Sequence, residues 1–149
     1  MRHRRAPSIS GILLAILITI LVFAVHGQQP PPTIKMVPPT PTNPASGQEM
    51  FQQYCAVCHG LRGTGDGPAA PALKMMPADL TRLTAENQGK FPELRVYGVI
   101  AGDAEMIPHG TREMPVWGVV FRHVSRRDEA QVRMRLRNLT KYIESIQAK

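Results

Sequence analysis

Cys55-Ala56-Val57-Cys58-His59 is the stretch from which the rest of the chain is best read. Its two cysteines are the only ones among 149 residues. A disulfide between positions so close would close a tiny loop and constrain the unfolded chain little. C-x-x-C-H is instead the pattern of covalent haem attachment. Two thiols at this spacing can add across the two vinyl groups on one haem edge, making thioethers. The histidine that follows then lies under the ring, placed to bind iron from the proximal side. C-x-x-C alone is shared by redox and zinc proteins; the appended histidine and an export context make the pattern specific.

That context lies upstream. Arg2, His3, Arg4 and Arg5 precede an uncharged run from Ile9 to Val25, interrupted only by Ser10, Gly11 and Thr19. Residues 1–27 therefore read as an export signal or an N-terminal membrane anchor. Val25 and Gly27 are small enough for cleavage after Gly27. The basic flank keeps the N-terminus cytoplasmic, so the domain is expected on the periplasmic side, soluble after cleavage or anchored by residues 9–25. Residues 28–44 hold seven of the 14 prolines. Such a segment makes neither helix nor central strand. An extended linker of this length reaches roughly 50 Å and is expected to be a passive spacer or tail.

The remaining residues, 45–149, have the composition of one small domain. Aromatic content is only 5%, so a large apolar cofactor would help to fill the centre. The net charge is +7, but without Arg2, Arg4 and Arg5 the 15 basic residues against 11 acids leave about +4. That is too mild for a nucleic-acid footprint.

Ser46-Gly47-Gln48-Glu49 fits a capping box, with Ser46 as N-cap and Glu49 reaching back. Met50, Phe51 and Tyr54 continue one apolar face into Cys55. Glycines 60, 63, 65 and 67 end that helix in a loop closed by Pro68. They lack Gly-Lys-Ser/Thr and no strand precedes them, so a phosphate loop is a poor reading. Pro92 suits a first helical turn, with Leu94, Tyr97 and Ala101 on one face. Residues 110–118 read as a loop. Ser125-Arg126-Arg127-Asp128 looks like a second capping box. Val132, Leu136, Leu139, Ile143 and Ile146 then mark an amphipathic helix. Nothing alternates like a strand. The expected fold is mainly α, with long loops that enclose something.

Iron held by His59 needs a sixth ligand or an open site. Methionine is the usual partner in electron-transfer cytochromes. The candidates are Met75, Met76, Met106, Met114, Met134, His109 and His123. Met134 is out of phase with the apolar face of the last helix and should face solvent. Met75 and Met76 leave little chain to wrap around a ring from His59. Met114 is preferred, because Pro115 biases it to an extended conformation and Trp117 can pack against the haem. Met106 and then His109 follow. For the others, core packing is the expected role.

Several further stretches carry a resemblance. Gly47, Phe51 and Tyr54 lead into the C-x-x-C-H motif. Gly65-Asp66-Gly67-Pro68-Ala69-Ala70 and Pro77-Ala78-Asp79-Leu80-Thr81 come after it. His109-Gly110, Met114-Pro115-Val116-Trp117-Gly118 and a final Tyr142-Ile143-Glu144-Ser145-Ile146 complete the set. From about Pro44 to Ile146 the chain resembles a class I, mono-haem c-type cytochrome. The resemblance implies a small cytochrome c-like domain, with helices and long loops wrapped around one covalent haem c. It implies that His59 and Met114 bind the iron, and that the first and last helices cross near Gly47 and Phe51. It also implies that a carbonyl after the glycine loop, of Pro68 or Pro71, orients His59 and fixes its tautomer.

The implied activity is outer-sphere electron transfer between a redox donor and acceptor (an oxidase, reductase or dehydrogenase), not substrate chemistry. Arg122, Arg126, Arg127, Arg133, Arg135 and Arg137 could steer docking to an acidic partner, or could simply be a solvated helix face. Two other readings remain open. One is a haem enzyme or sensor with an open sixth site. The other is a haem-free copper or thiol-redox protein using Cys55, Cys58 and His59.

Overall fold

The structure is a computed structural model that describes residues 33, 35, 37–103 and 114–148. The leader, most of the linker upstream of Val37, Met106 and His109 lie outside the described residues. Among those described the regular elements are helical and no strand occurs. No described helix is long and apolar enough to cross a membrane.

The first helix runs through three joined segments. These are α1 (Gly47–Met50), a π-helical turn (Phe51–Cys55) and α2 (Ala56–His59). Ser46 is the N-cap, and its Oγ accepts the Glu49 N–H at 3.1 Å. The expected capping box is only half made. The Ser46 N–H is taken by the Asn43 carbonyl, and the Glu49 carboxylate accepts from the Asn43 N–H at 3.2 Å instead. The π turn closes with the Ala56 N–H donating to the Phe51 carbonyl. Phe51, Tyr54 and Cys55, at i, i+3 and i+4, share one helical face and are buried together.

Three longer helices follow a short one, α3 (Leu83–Glu86). In α4 (Glu93–Ala101), Pro92 is the non-helical N-cap. The buried face of α4 is Val96, Gly98 and Ile100. Leu94, expected on the packed face, is 79% exposed. The helix α5 (Trp117–Val124) corrects the expected loop over residues 110–118 at its end. Trp117 and Phe121 lie one turn apart and both join the core, which outweighs the breaker signals of Pro115 and Gly118. The helix ends with the Arg127 N–H on the Arg122 carbonyl at 2.8 Å, and with Arg126 and Arg127 at φ 51° and 66°.

The last helix, α6 (Glu129–Ser145), is the hub on which α1, α4 and α5 pack. Its apolar stripe is as expected: Val132, Leu136, Leu139 and Ile143 are buried, and Ile146 packs against them. Each such side chain contributes about 1.5–3 kcal/mol. Met134 is exposed, as its phase required. The second capping box is not there. Asp128 is the N-cap, accepting from the N–H groups of Ala130 and Gln131 at 2.9 and 3.2 Å. Ser125 belongs to the end of α5.

The crossing of α1 and α6 is as close as expected. A Cβ on Gly47 would stand 2.8 Å from the Asn138 carbonyl carbon and from Tyr142 Cβ, and nearer still to the Asn138 oxygen. Phe51 and Tyr142 meet one turn away, with ring centroids 5.2 Å apart. The end of the proline-rich segment is not a passive spacer. Tyr54 donates its hydroxyl to the Thr40 carbonyl at 2.6 Å, and Asn138 Nδ2 donates to the Pro44 carbonyl at 2.9 Å. Thr42 is 9% exposed and is held by α6.

Candidate functional site

Cys55, Cys58 and His59 occupy the last turn and a half of the first helix. Cys55 is buried and Cys58 partly so, and neither is in a disulfide. Burial, with a smaller contribution from Cys58, pushes the Cys55 thiol up to about 12. Burial also raises the Cys58 thiol. Both groups are therefore protonated thiols, not the exposed thiolates of redox cysteines.

The glycine loop exists to finish this helix. A helix end leaves carbonyls without partners, and here they are met in order. The N–H groups of Gly60, Ala69, Gly67 and Gly65 donate to the carbonyls of Ala56, Val57, Cys58 and His59 at 2.8–3.0 Å. That wrap requires the loop backbone to touch the motif backbone. A Cβ on Gly67 would lie 2.5 Å from the Val57 oxygen and from the Cys58 carbonyl carbon and oxygen. Gly60 and Gly65 add φ values of 77° and 83°, which glycine adopts without strain.

The loop also delivers the group that orients His59. Its Nδ1 lies 3.0 Å from the Ala78 carbonyl oxygen. This corrects the expected Pro68 or Pro71 carbonyl. Pro68 lies too early, in the stretch that caps the helix, and residues 77–81 return to the loop. There Leu80 donates its N–H to the Gly63 carbonyl at 2.7 Å. The Asp79 carboxylate ties off the turn by accepting from Thr81 N and Oγ1 at 2.9 and 2.6 Å. A carbonyl only accepts, so Nδ1 must carry the proton and Nε2 keeps a free lone pair. Burial lowers the His59 pKa from its ordinary 6.5, against the smaller upward pull of the Ala78 bond. The imidazole is thus neutral and fixed in tautomer, with Nε2 able to meet a metal ion.

Met114 is half-buried, three residues ahead of Trp117. Trp117 lies against Tyr54, the neighbour of Cys55, with centroids 5.2 Å apart, and both rings meet Phe121 at 5.8–6.0 Å. That aromatic cluster ties the Met-Pro-x-Trp-Gly segment to the helix bearing the cysteines. The Gly118 backbone closes on Ala101 at the end of α4, where a Cβ would stand 3.0 Å from the Ala101 carbonyl carbon and nearer to its oxygen. Met75 and Met76 are 58% and 72% exposed, and His123 is exposed. Met106 and His109 cannot be placed, being outside the described residues.

The donor set fits a covalently held haem. Two free thiols stand three positions apart, and one neutral imidazole offers Nε2. A metal cluster fits less well: among the described residues, no three His, Cys, Asp or Glu side chains converge on one point. One residue was misread in the sequence. Arg135, counted with the basic docking face, is 3% exposed. The other arginines of that set are exposed, and Arg122 pairs with Glu129 at 3.4 Å.

The sequence model of the Cytochrome c family matches residues 44–147. No curated protein and no solved structure matches the chain.

Proposed function

The chain belongs to the cytochrome c family, and from that premise we propose that it is an exported mono-haem electron carrier of class I, in which His59 and Met114 would hold the iron. The observation that carries the reading is the bond from His59 Nδ1 to the Ala78 carbonyl, which leaves Nε2 as a lone pair for iron. Cys55 and Cys58 would hold one haem c through thioethers, and a single C-x-x-C-H motif allows no second. When bound, the haem supplies a one-electron couple. The residues do the rest. Ala78 holds the histidine proton on Nδ1, the glycine loop keeps the motif helix closed, and Met114 Sδ would be the second protein donor to the iron, leaving no open site for a substrate.

The thiol-redox alternative is weakened by the burial of Cys55, since reactive cysteines have lowered pKa values. The basic leader supports export to the periplasmic side, cleaved or anchored by residues 9–25. Arg122, Arg126, Arg127, Arg133 and Arg137 suit an acidic donor or acceptor.

The test is an alkaline pyridine haemochrome spectrum on protein exported with haem-attachment machinery, after acid–acetone extraction. Retained haem with a c-type spectrum is expected; extractable haem, or none, would overturn the reading. Met114→Ala separates electron carrier from open-site enzyme. It should turn a low-spin centre high-spin and open it to carbon monoxide. An unchanged low-spin spectrum would remove Met114 as ligand and pass the role to Met106 or His109.

A further inference from the structure

Arg135 has a setting unlike any other charged residue described. Its guanidinium is buried in the middle of α6, and every partner is neutral. Nε donates to Ser125 Oγ at 3.1 Å, and the two terminal nitrogens donate to Thr42 Oγ1 and to the Thr42 carbonyl, both at 2.8 Å. The two ion pairs among the described residues, Arg62–Asp66 and Arg122–Glu129, do not include it. No buried polar side-chain atom nearby is left without a partner. The geometry is complete and the charge is not neutralised.

Burying such a cation is costly, and an apolar residue would satisfy packing as well. What distinguishes arginine here is its position against the aromatic cluster. The guanidinium carbon lies 6.0 Å from the Phe121 ring centroid. Phe121 packs on Tyr54 and Trp117. The Thr42 hydroxyl that accepts from Arg135 is also within 3.0 Å of the Tyr54 hydroxyl. Tyr54 directly precedes Cys55, whose thioether would carry the haem. A net positive charge therefore sits one side chain away from the haem-bearing turn, in a medium that screens it far less than water does.

We infer that Arg135 is a potential-setting residue: its buried, unpaired charge destabilises the oxidised haem relative to the reduced one and raises the midpoint potential. This rests on the cytochrome reading above. The oxidised centre carries one more positive charge than the reduced centre, so a fixed cation opposes oxidation and favours the electron received from the donor. Salt should not abolish the effect, because the group is withdrawn from the ionic atmosphere.

The experiment is redox titration of the full-length holoprotein, with visible absorbance as the readout, in wild type, Arg135→Gln, Arg135→Lys and the exposed control Arg137→Gln. Covalent haem is first verified in each, so that a failure of the cytochrome reading is seen as absence of haem and not as an unmoved potential. Arg135→Gln should lower the midpoint by several times the shift of Arg137→Gln, at low and at high salt, while Arg135→Lys stays near wild type. Since the glutamine variant can fail to fold, Ser125→Asp provides a second arm. It keeps Arg135 and sets a carboxylate where Nε now meets a hydroxyl, so it should also lower the midpoint. An unmoved midpoint in folded Arg135→Gln or in Ser125→Asp would overturn the inference. So would equal falls in Arg135→Lys and Arg135→Gln, since those would mark a packing effect.

Discussion

Gly47→Ala sets two physical effects against each other, and the structure decides between them. Helix propensity alone favours alanine at this first position of α1 by about 1 kcal/mol. The crossing with α6 opposes it, because the new Cβ would meet the Asn138 carbonyl and Tyr142 Cβ. Its neighbours are backbone and the root of a side chain, so α6 as a whole must move. Overpacking of this kind costs about 1–3 kcal/mol. The shift would also loosen the Phe51–Tyr142 ring pair, worth about 0.5–1.5 kcal/mol. The bond from Asn138 Nδ2 to the Pro44 carbonyl would weaken as well, at about 1 kcal/mol. After the propensity gain, the net loss is roughly 2–4 kcal/mol. For a domain of this size, that lowers Tm by roughly 10 °C or more. The assay is guanidinium unfolding of the holoprotein followed by far-ultraviolet circular dichroism, with wild type and an exposed control, Lys141→Ala. A Gly47→Ala protein as stable as wild type would refute the close crossing and leave propensity in command.

Gly67→Ala should cost roughly 3 kcal/mol, from the collision with Cys58 and the loss of the two N–H bonds to Val57 and Cys58. The same unfolding assay reads it, with covalent haem content unchanged because the motif itself is intact. Asp128→Ala should destabilise at neutral pH by removing the α6 N-cap, and the deficit should vanish in acid. The N–H and side chain of Gln131, then the Ala130 N–H, hold the Asp128 pKa below its ordinary 3.8. A lowered folded value means the contribution is full above 3.8 and is lost as pH falls through that lowered value. Unfolding midpoints measured from pH 7 to pH 2 check it; a deficit that persists at pH 2 would count against the cap.

Much of the candidate site was legible in the sequence because its signature is local and of fixed spacing. The C-x-x-C-H motif could be read without knowing what surrounds it. The stripe on α6 was equally plain, since a helix of 17 residues, nearly five turns, gives periodicity room to show. The misreadings share a different cause. Ser125 and Asp128 are both good caps, and only the packing of α5 decides which one starts a helix. Leu94 and Val96 are both apolar, and the face that meets α6 chooses between them. The Ala78 carbonyl is a backbone atom, which no residue type announces, although Pro77 and Asp79 around it mark a turn. Arg135 was counted as surface by residue type. Its acceptors are Ser125 and Thr42, the latter 93 positions away, and no local pattern records such a pairing.

That long-range clamp also fixes where the domain begins as a folding unit. The family match opens at residue 44, but the hydrogen-bonded framework reaches back to Thr40. A chain trimmed at Pro44 would keep the whole apolar core and still lose two of the three acceptors that hold the Arg135 guanidinium. It would be left with a stranded cation beside Phe121. Proteolysis ahead of Thr40 should be harmless, and a cut between Thr40 and Pro44 should not be. The N-terminal edge of this domain is drawn by polar bonding, a few residues outside the edge that hydrophobic pattern would draw.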